Sequence, residues 1–295
     1  MRLQFSIAHV AAALITILLL AGCDGGDARN PGTDTVADLA ISPDTDSRVQ
    51  PSDEPCAALF GRPAATTGLS DDQCTPSCDC EGVLFEAPVY SEEEIAALEA
   101  LVLSTPMPAL EDDPYEHPGD HPLEPEKACG ILFDTDGPGS YGLQTYETPA
   151  AALEAGAAIT HHGACGLCSS LVNLGVYIRN NDLAGPVRQC GIDHAMDGQE
   201  HHIECLMNLG FDLPCAQIWY RNTKHTQAEC FLTCMENLEK PYHNEDGSLN
   251  DCIQCDEDLS GVVFKAVSGR TRRNSGLPTA LCRPCASVSP VVHRY

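Results

Sequence analysis

Apolar residues recur at helical spacing over much of the chain between residues 91 and 258. Ser91 and Glu94 stand three apart, the capping-box arrangement that begins a helix. Ile95, Leu98 and Val102 then fall on one helical face, before a run of prolines. Similar spacing, with capping residues or terminating glycines and prolines, predicts further helices at 148–158, 168–179, 186–190, 199–209, 213–220, 226–239 and 249–258.

Strand-like patterns are shorter and fewer. Residues 131–135 and 143–146 flank a cluster of turn-forming residues and predict a β hairpin. Residues 262–267 form a third candidate strand. Because helical spacing dominates, the pattern predicts a mainly α protein with a minor β hairpin.

The first apolar run, residues 7–20, follows Arg2 and is too short for an ordinary membrane span, which indicates a secretory signal peptide. It ends in Leu20-Ala21-Gly22-Cys23, which resembles the lipobox of bacterial lipoproteins at all four positions. The resemblance covers only this N-terminal segment. It implies that residues 1–22 are removed, that lipid including palmitate is attached to Cys23, and that the exported protein is anchored in the cell membrane or the outer membrane.

The cysteine content makes the prediction of the fold more specific. The chain has 17 cysteines, so lipidation of Cys23 would leave an even number. Cysteines of exported proteins normally pair, because their compartment is oxidising. Aromatic residues make up only 5% of the chain, so disulfides are expected to supply stability that a richer core would otherwise provide. We therefore expect a disulfide-rich fold of stapled helical hairpins.

Composition divides the mature chain into three segments. Residues 23–55 are rich in Asp, Gly, Pro, Ser and Thr and predict an acidic flexible tether. Residues 56–126 hold four cysteines that could close on themselves, one helix, and a proline-rich linker at 106–125. Residues 127–295 hold the remaining cysteines and predict a disulfide-stapled, mainly helical domain.

The net charge of −27 restricts the partners. Nucleic acids require a basic surface to neutralise phosphates, so the acidic bulk excludes them. The same charge repels anionic lipid headgroups, so the membrane is expected to be a partner through the lipid anchor alone. Residues 259–295 are the exception, because they contain no Asp or Glu and several Lys and Arg residues.

Two cysteine pairs have the spacing of helix neighbours. Cys230 and Cys234 stand four apart on one predicted helix, and Cys252 and Cys255 stand three apart on the next. We predict the disulfides Cys230–Cys255 and Cys234–Cys252. A four-thiolate zinc site from the same residues is the alternative, which export disfavours.

Residues 161–168 hold the densest cluster of reactive side chains. Cys168 begins a predicted helix, where exposed amides favour the thiolate. Cys165-Gly166-Leu167-Cys168 resembles the redox pair of thioredoxin-like proteins, and residues 163–168 resemble the nucleophile segment of papain-like cysteine peptidases. The second resemblance implies a disulfide-bonded Cys165 and an attacking Cys168. As an enzyme, the protein would use Cys168 with His161 or His162; as a structural protein, it would pair Cys168.

Histidines suggest a metal site. Six of the eleven lie between residues 161 and 225, with carboxylates among them. His201 and Glu204 share a helical face, and with His202 and His194 they form a set that suits zinc or copper. Histidines that simply hydrogen-bond at the surface or between helices are the alternative.

An arginine-rich segment suggests an anion site. Arg270, Arg272, Arg273 and Asn274 lie between two glycines and suit phosphate, sulfate or carboxylate. Internal pairing with the acidic run 256–258 is the favoured alternative, because charge balance alone predicts it.

These observations predict a lipid-anchored binding protein of the cell envelope. Its ligand would be a divalent metal at the histidine set, or an anionic small molecule or protein partner at the arginine segment. An envelope enzyme that uses Cys168 or a histidine-bound metal is the second hypothesis, and a structural envelope lipoprotein is the third.

Overall fold

The computed structural model describes residues 56–80, 82–134 and 139–295. Cys23, the predicted signal peptide and the predicted tether at 23–55 lie outside the described residues. The described helices are α1 (Glu92–Glu99), α2 (Pro149–Glu154), α3 (Leu171–Arg179), α4 (Ala184–Asp193), α5 (Gln199–Asn208), α6 (Leu213–Glu236), α7 (Asp251–Leu259) and α8 (Gly261–Ser268). Within this part of the chain, no helix combines the length and apolar character needed to cross a membrane.

Short strands form three small sheets among the described residues. The strands are β1 (Leu59–Phe60), β2 (Cys74–Thr75), β3 (Ser77–Cys80), β4 (Val83–Glu86), β5 (Val102–Leu103), β6 (Ala128–Phe133), β7 (Ser140–Tyr146), β8 (Ala158–His162) and β9 (Arg283–Pro284). The sheets have the orders β2-β1-β9, β3-β4 and β5-β7-β6-β8. Helix makes up 40% of the described residues and strand 15%, so the prediction of a mainly α protein is only partly right.

The predicted β hairpin is confirmed. Strands β6 and β7 are antiparallel, with Ile131 opposite Leu143. The sequence pattern missed β8, which pairs with the other side of β6 and begins at Ala158, the last residue of the helix predicted at 148–158. Helix α2 stops at Glu154, and Gly156, with a φ of 76°, turns the chain into the strand.

Local capping places several helix starts where the sequence predicts them. Ser91 accepts a hydrogen bond from the amide of Glu94, whose carboxylate accepts one from the amide of Ser91. Thr148 and Asp212 likewise accept from amides in the first turns of α2 and α6. These contacts depend on near neighbours in the chain, so sequence alone can predict them.

Two secondary-structure predictions are wrong. Thr226 does not begin a helix, because α6 runs without a break from Leu213 to Glu236 and the Thr226 hydroxyl donates to Asp256 on α7 instead. The candidate strand at 262–267 lies in helix α8. Packing of this segment against α6 and α7 overrides its strand propensity.

The larger core lies where α3 and α6 pack with the four-stranded sheet. Ile131 and Tyr141 from the sheet, Leu171 and Leu174 from α3, and Ile218 from α6 are almost completely buried. Burial of each such aliphatic side chain contributes about 1.5–3 kcal/mol. The Tyr141 hydroxyl also accepts from the amide of Leu171, which ties the sheet to the start of α3.

Eight disulfides use all sixteen cysteines of the described residues. They join Cys56–Cys80, Cys74–Cys282, Cys78–Cys285, Cys129–Cys165, Cys168–Cys215, Cys190–Cys205, Cys230–Cys255 and Cys234–Cys252. The predicted disulfide-rich fold is therefore confirmed. The pairs Cys230–Cys255 and Cys234–Cys252 are those that helical spacing predicts, and they staple α6 to α7.

The N-terminal cysteines do not close on themselves as a separate knot. One pair, Cys56–Cys80, is local, whereas Cys74 and Cys78 bond to cysteines near the C-terminus. Strand β1 pairs with β9, and β5 extends the central sheet beside β7. The segment 56–126 is thus built into the same structure as the rest, because two of its disulfides and strand β1 join it to residues near the C-terminal end of the described chain.

Candidate functional site

The predicted nucleophile Cys168 is not a free thiol. It is bonded to Cys215 on α6 and is completely buried. Cys165 is bonded to Cys129 on β6, so the two cysteines of the predicted redox pair do not bond to each other. The disulfide at Cys165 that the papain-like resemblance implies is present, but an attacking Cys168 and a Cys165–Cys168 redox pair are both ruled out, because a bonded and desolvated sulfur cannot act as a thiolate.

His161 holds the backbone around that disulfide. Its Nδ1 donates to the carbonyl of His162 at 2.9 Å, and its Nε2 accepts from the Ser169 hydroxyl at 2.7 Å. Burial, together with the charge of Arg270, keeps the pKa of His161 well below its ordinary value. A neutral, fully buried imidazole between two internal partners acts in packing. The prediction that His161 or His162 activates Cys168 is therefore wrong.

The predicted zinc or copper site is not assembled. His202 is buried on the inner face of α5, whereas His201 and Glu204 are exposed. His194 lies beside His201 with ring centroids 6.3 Å apart. Among the residues that the structure describes, no group of three or more His, Cys, Asp or Glu side chains is arranged to hold a metal ion.

His194 and His202 have partners of other kinds. The Nδ1 atom of His194 lies 2.8 Å from a carboxylate oxygen of Asp197. His202 packs edge-on against Tyr220, with ring centroids 5.2 Å apart. Burial lowers the pKa of His202 to about 4, so this imidazole is neutral at physiological pH. The alternative interpretation fits His194, whereas His202 lies between helices with an Nε2 atom that has no hydrogen-bond partner among the described residues.

The predicted anion site consists of internal contacts. All five N–H groups of Arg270 donate to protein oxygens: the Thr160 carbonyl and hydroxyl, the carbonyls of Cys168 and Ser169, and the Ser275 hydroxyl. Arg270 is completely buried. Burial lowers its pKa to about 10, so it stays charged at neutral pH.

The other members of the segment are also engaged internally. Arg272 donates to the carbonyls of Tyr177 and Asn180 at the end of α3, where helix carbonyls lack internal partners. Asn274 donates to the carbonyls of His162 and Gly269. The internal alternative is thus correct, although most of the partners are backbone carbonyls rather than carboxylates.

Arg273 pairs with the acidic run that charge balance indicates. Glu257 lies within 4 Å of Arg273, Lys265 and Arg283. Burial opposes ionisation of Glu257, but these three positive charges hold its pKa well below its ordinary value. The carboxylate and its cations tie α7 to α8 and to the C-terminal segment.

A different polar site, which sequence reasoning missed, lies on α6. It is covered by residues 106–125, which we call the strap. The strap residues Leu110, Asp113 and Tyr115 contact a surface that we call the docking face, formed by Gln217, Arg221, Asn222 and His225 on α6 and by Ser260 between α7 and α8. A single tyrosine in an acidic, proline-rich stretch was the available signal in the sequence.

Tyr115 is the centre of this contact. Its hydroxyl donates to Asn222 Oδ1 at 2.7 Å and lies 3.1 Å from the carbonyl oxygen of Ser260. Its ring stacks on His225, with centroids 4.2 Å apart and planes 17° apart. Burial and the charges of Asp256 and Asp113 raise the pKa of Tyr115 well above its ordinary value, so the phenol is a neutral donor.

Polar groups beneath Tyr115 are linked to one another. His225 Nδ1 lies 2.9 Å from the Ser260 hydroxyl, and Asn222 Nδ2 donates to Asp256 at 3.3 Å. The Thr226 hydroxyl also donates to Asp256. Burial raises the pKa of Asp256 to about 6. The network fixes the amide of Asn222 with its oxygen toward Tyr115 and its nitrogen toward α7.

The strap follows α6 in the same direction. Ahead of Tyr115, the amide of Leu110 donates to Gln217 Oε1 at 2.7 Å, and Asp113 pairs with Arg221 at 3.1 Å. Gln217, Arg221 and His225 are successive at a spacing of four, which places them on one face of the helix. The docking face therefore contacts a peptide backbone, a carboxylate and a phenol in that order.

Comparison with known proteins covers part of the chain. Residues 199–291 match a family described as a family of unknown function (DUF8771). No curated protein and no solved structure matches the chain. The matched segment includes α5 to α8 and the whole docking face, whereas the strap lies outside it.

Proposed function

We propose that this chain is a lipid-anchored protein of the bacterial cell envelope that acts by binding a partner through its disulfide-stapled domain. Cys23 would carry the lipid, and residues 23–55 would tether the domain to the membrane. The hairpin of α6 and α7, held by two disulfides, would present the binding surface. Mainly helical architecture is thus proposed for the functional part rather than for the whole fold.

The pairing of the cysteines is the observation that carries this proposal. Every cysteine from Cys56 onward is in a disulfide within the described residues. Cys23 is the one remaining cysteine of the 17. Disulfides on this scale support an oxidising, exported location. The lipobox-like residues before Cys23 would make this remaining thiol the site of lipid attachment.

The docking face supports binding as the activity. It already accommodates a peptide segment, the strap, through one ring contact, one ion pair and hydrogen bonds to backbone and side chain. The residues first predicted to hold an anion are engaged in internal contacts, and those predicted to hold a metal are not arranged as a metal site among the described residues. A protein partner is therefore the ligand class that the geometry favours, and the acidic surface argues against nucleic acid.

Palmitate labelling tests the anchor. The full-length chain is expressed in a bacterial host with radiolabelled palmitate, and membranes are separated from soluble fractions. Wild-type protein is expected in the membrane fraction with label, whereas Cys23→Ser is expected to lose the label. Asp24→Asn is the matched control and should keep it. Unlabelled wild-type protein, or equal labelling of Cys23→Ser, would contradict the proposal.

A further inference from the structure

We propose that the strap is a displaceable internal ligand, and that the docking face beneath it binds a tyrosine-containing acidic peptide of a partner protein. The inference rests on the proposed binding function and names the partner's chemistry. In the structure described above, Tyr115 occupies the site in place of that partner. The strap is then autoinhibitory, because partner and strap compete for the same atoms.

The position of the strap among the disulfides supports its release. No cysteine lies between Cys80 and Cys129, the longest cysteine-free stretch of the chain after Cys56. The strap lies within this stretch, whereas α6 beneath it is fixed by Cys215, Cys230 and Cys234. Local opening of the strap therefore breaks no covalent link and leaves the docking face in place.

The contacts that hold the strap are few, and apart from Leu110, the buried Pro114 and the ring of Tyr115 on His225 they are polar. One ion pair, one hydrogen bond from a backbone amide and the hydroxyl of Tyr115 connect it to α6, and the half-buried Leu110 packs against the main core. The strap has no strand pairing in the described residues; apart from one three-residue 3-10 turn at Pro118–Asp120 it is irregular. A segment held in this way opens at far lower cost than an element of the core.

The side chains of the docking face determine which peptide can bind there. Gln217 Oε1 requires a backbone N–H, and Arg221 requires a carboxylate about one helical turn further on. Asn222 Oδ1 is a buried acceptor that needs a hydroxyl donor, while the ring of His225 needs an aromatic face. Phenylalanine would satisfy His225 but leave Asn222 without its donor, so the site distinguishes tyrosine from phenylalanine.

Because the strap is tethered beside its site, it competes at an effective concentration of roughly millimolar. A free peptide of the same sequence is therefore expected to bind wild-type protein weakly. Removal of the strap's own contacts should unmask the site. This difference between masked and unmasked protein is the measurable signature of an internal ligand.

The test uses purified full-length protein and a fluorescein-labelled peptide with the sequence of residues 108–118, measured by fluorescence anisotropy. The open-strap variant is Asp113→Ala with Tyr115→Ala, and Asp112→Ala, at an exposed neighbour, is the matched control. We expect the open-strap variant to bind at least tenfold more tightly than wild type or the control. A peptide with phenylalanine for tyrosine should bind at least tenfold more weakly, and adding Asn222→Ala to the open-strap variant should abolish the preference for tyrosine.

Equal peptide affinity of wild type and the open-strap variant would overturn the inference, as would the absence of binding to both at millimolar peptide. If the open-strap variant does not fold, Tyr115→Phe decides, because it removes only the hydroxyl. That variant should bind the peptide more tightly than wild type, and unchanged affinity would overturn the inference. Palmitate labelling is independent of this assay, so failure of the anchor and failure of the peptide site are distinguishable.

Discussion

Arg270 shows how much structure one side chain organises. Its guanidinium connects β8, the segment before α3 and the turn at Ser275 by five hydrogen bonds to neutral oxygens. Thr160, which receives two of them, also interacts with the C-terminal Tyr295. A buried charge without a carboxylate is tolerated here because each of its donors is satisfied.

Arg270→Lys is expected to destabilise the fold by about 3 kcal/mol, although it keeps the charge. Lysine has three donors on one atom, so at least two buried oxygens would lose a partner. Guanidinium unfolding with disulfides intact, followed by fluorescence of Trp219, measures the change. Arg62→Lys, at an exposed position, should stay within about 0.5 kcal/mol of wild type. Equal stability of both variants would contradict this role for Arg270.

Among the secondary-structure elements, α6 and α7 form a hairpin that two disulfides staple. Its two disulfides come from residues that face each other across two helices, and Asn250 caps α7 by accepting from the amide of Ile253. Contacts between the helices add to the disulfides, including Asn222 and Thr226 with Asp256. The hairpin is therefore a rigid base for the docking face.

Two disulfides with loops of nearly equal length allow a direct comparison. The sequence separation is 25 for Cys230–Cys255 and 24 for Cys56–Cys80. The entropy of loop closure therefore predicts that replacing both cysteines of either pair by alanine lowers the free energy of unfolding by a similar amount, about 3 kcal/mol. Cys230 is buried, whereas Cys56 and Cys80 are half-buried. Loss of Cys230–Cys255 should therefore cost more, because it also leaves a cavity. Denaturant unfolding measures both, and a larger loss for Cys56–Cys80 would refute the expectation.

At the scale of the whole molecule, the ends of the described chain are fastened together. Cys74–Cys282 and Cys78–Cys285 link them, and the antiparallel pairing of β1 with β9 lies beside these disulfides. The strap lies between Cys80 and Cys129, outside the loops that local disulfides close. The molecule therefore combines a cross-linked body with one segment that no disulfide constrains directly.

Limited proteolysis checks this arrangement. A single cut within the strap should leave one species on a denaturing gel without reductant, because the two long-range disulfides hold the fragments together. Addition of reductant should release two fragments. The quadruple variant Cys74→Ala, Cys78→Ala, Cys282→Ala, Cys285→Ala, which lacks both disulfides, is the control, and its fragments should separate without reductant. Separation of the wild-type fragments without reductant would mean that these disulfides do not form.

Features that depend on near neighbours in the chain were predictable from sequence. The helix starts at Ser91, Thr148 and Asp212 follow from side chains that reach amides three residues away. Helical periodicity places two cysteines on each of two adjacent helices, which was sufficient to pair Cys230 with Cys255. The β6–β7 hairpin likewise joins strands that are adjacent in sequence.

The docking face could not be predicted in this way. Asn222 and His225 come from α6, Ser260 from the junction of α7 and α8, and Tyr115 from a segment about 100 residues earlier. Their meeting depends on the path of the whole chain. No local spacing records that path, and an isolated tyrosine among acids and prolines has no periodicity to distinguish it.

The amino-acid sequence alone accounts for the even number of cysteines after Cys23, the main helix starts, the α6–α7 staple and the acidic net charge. Tertiary structure decided which reactive side chains are free to react. Cys168, His161 and Arg270 have chemistry that suits catalysis or binding, yet all three are buried among internal partners. The physical reason is that reactivity depends on exposure and on unfilled hydrogen bonds, and both are set by distant segments that pack around a residue.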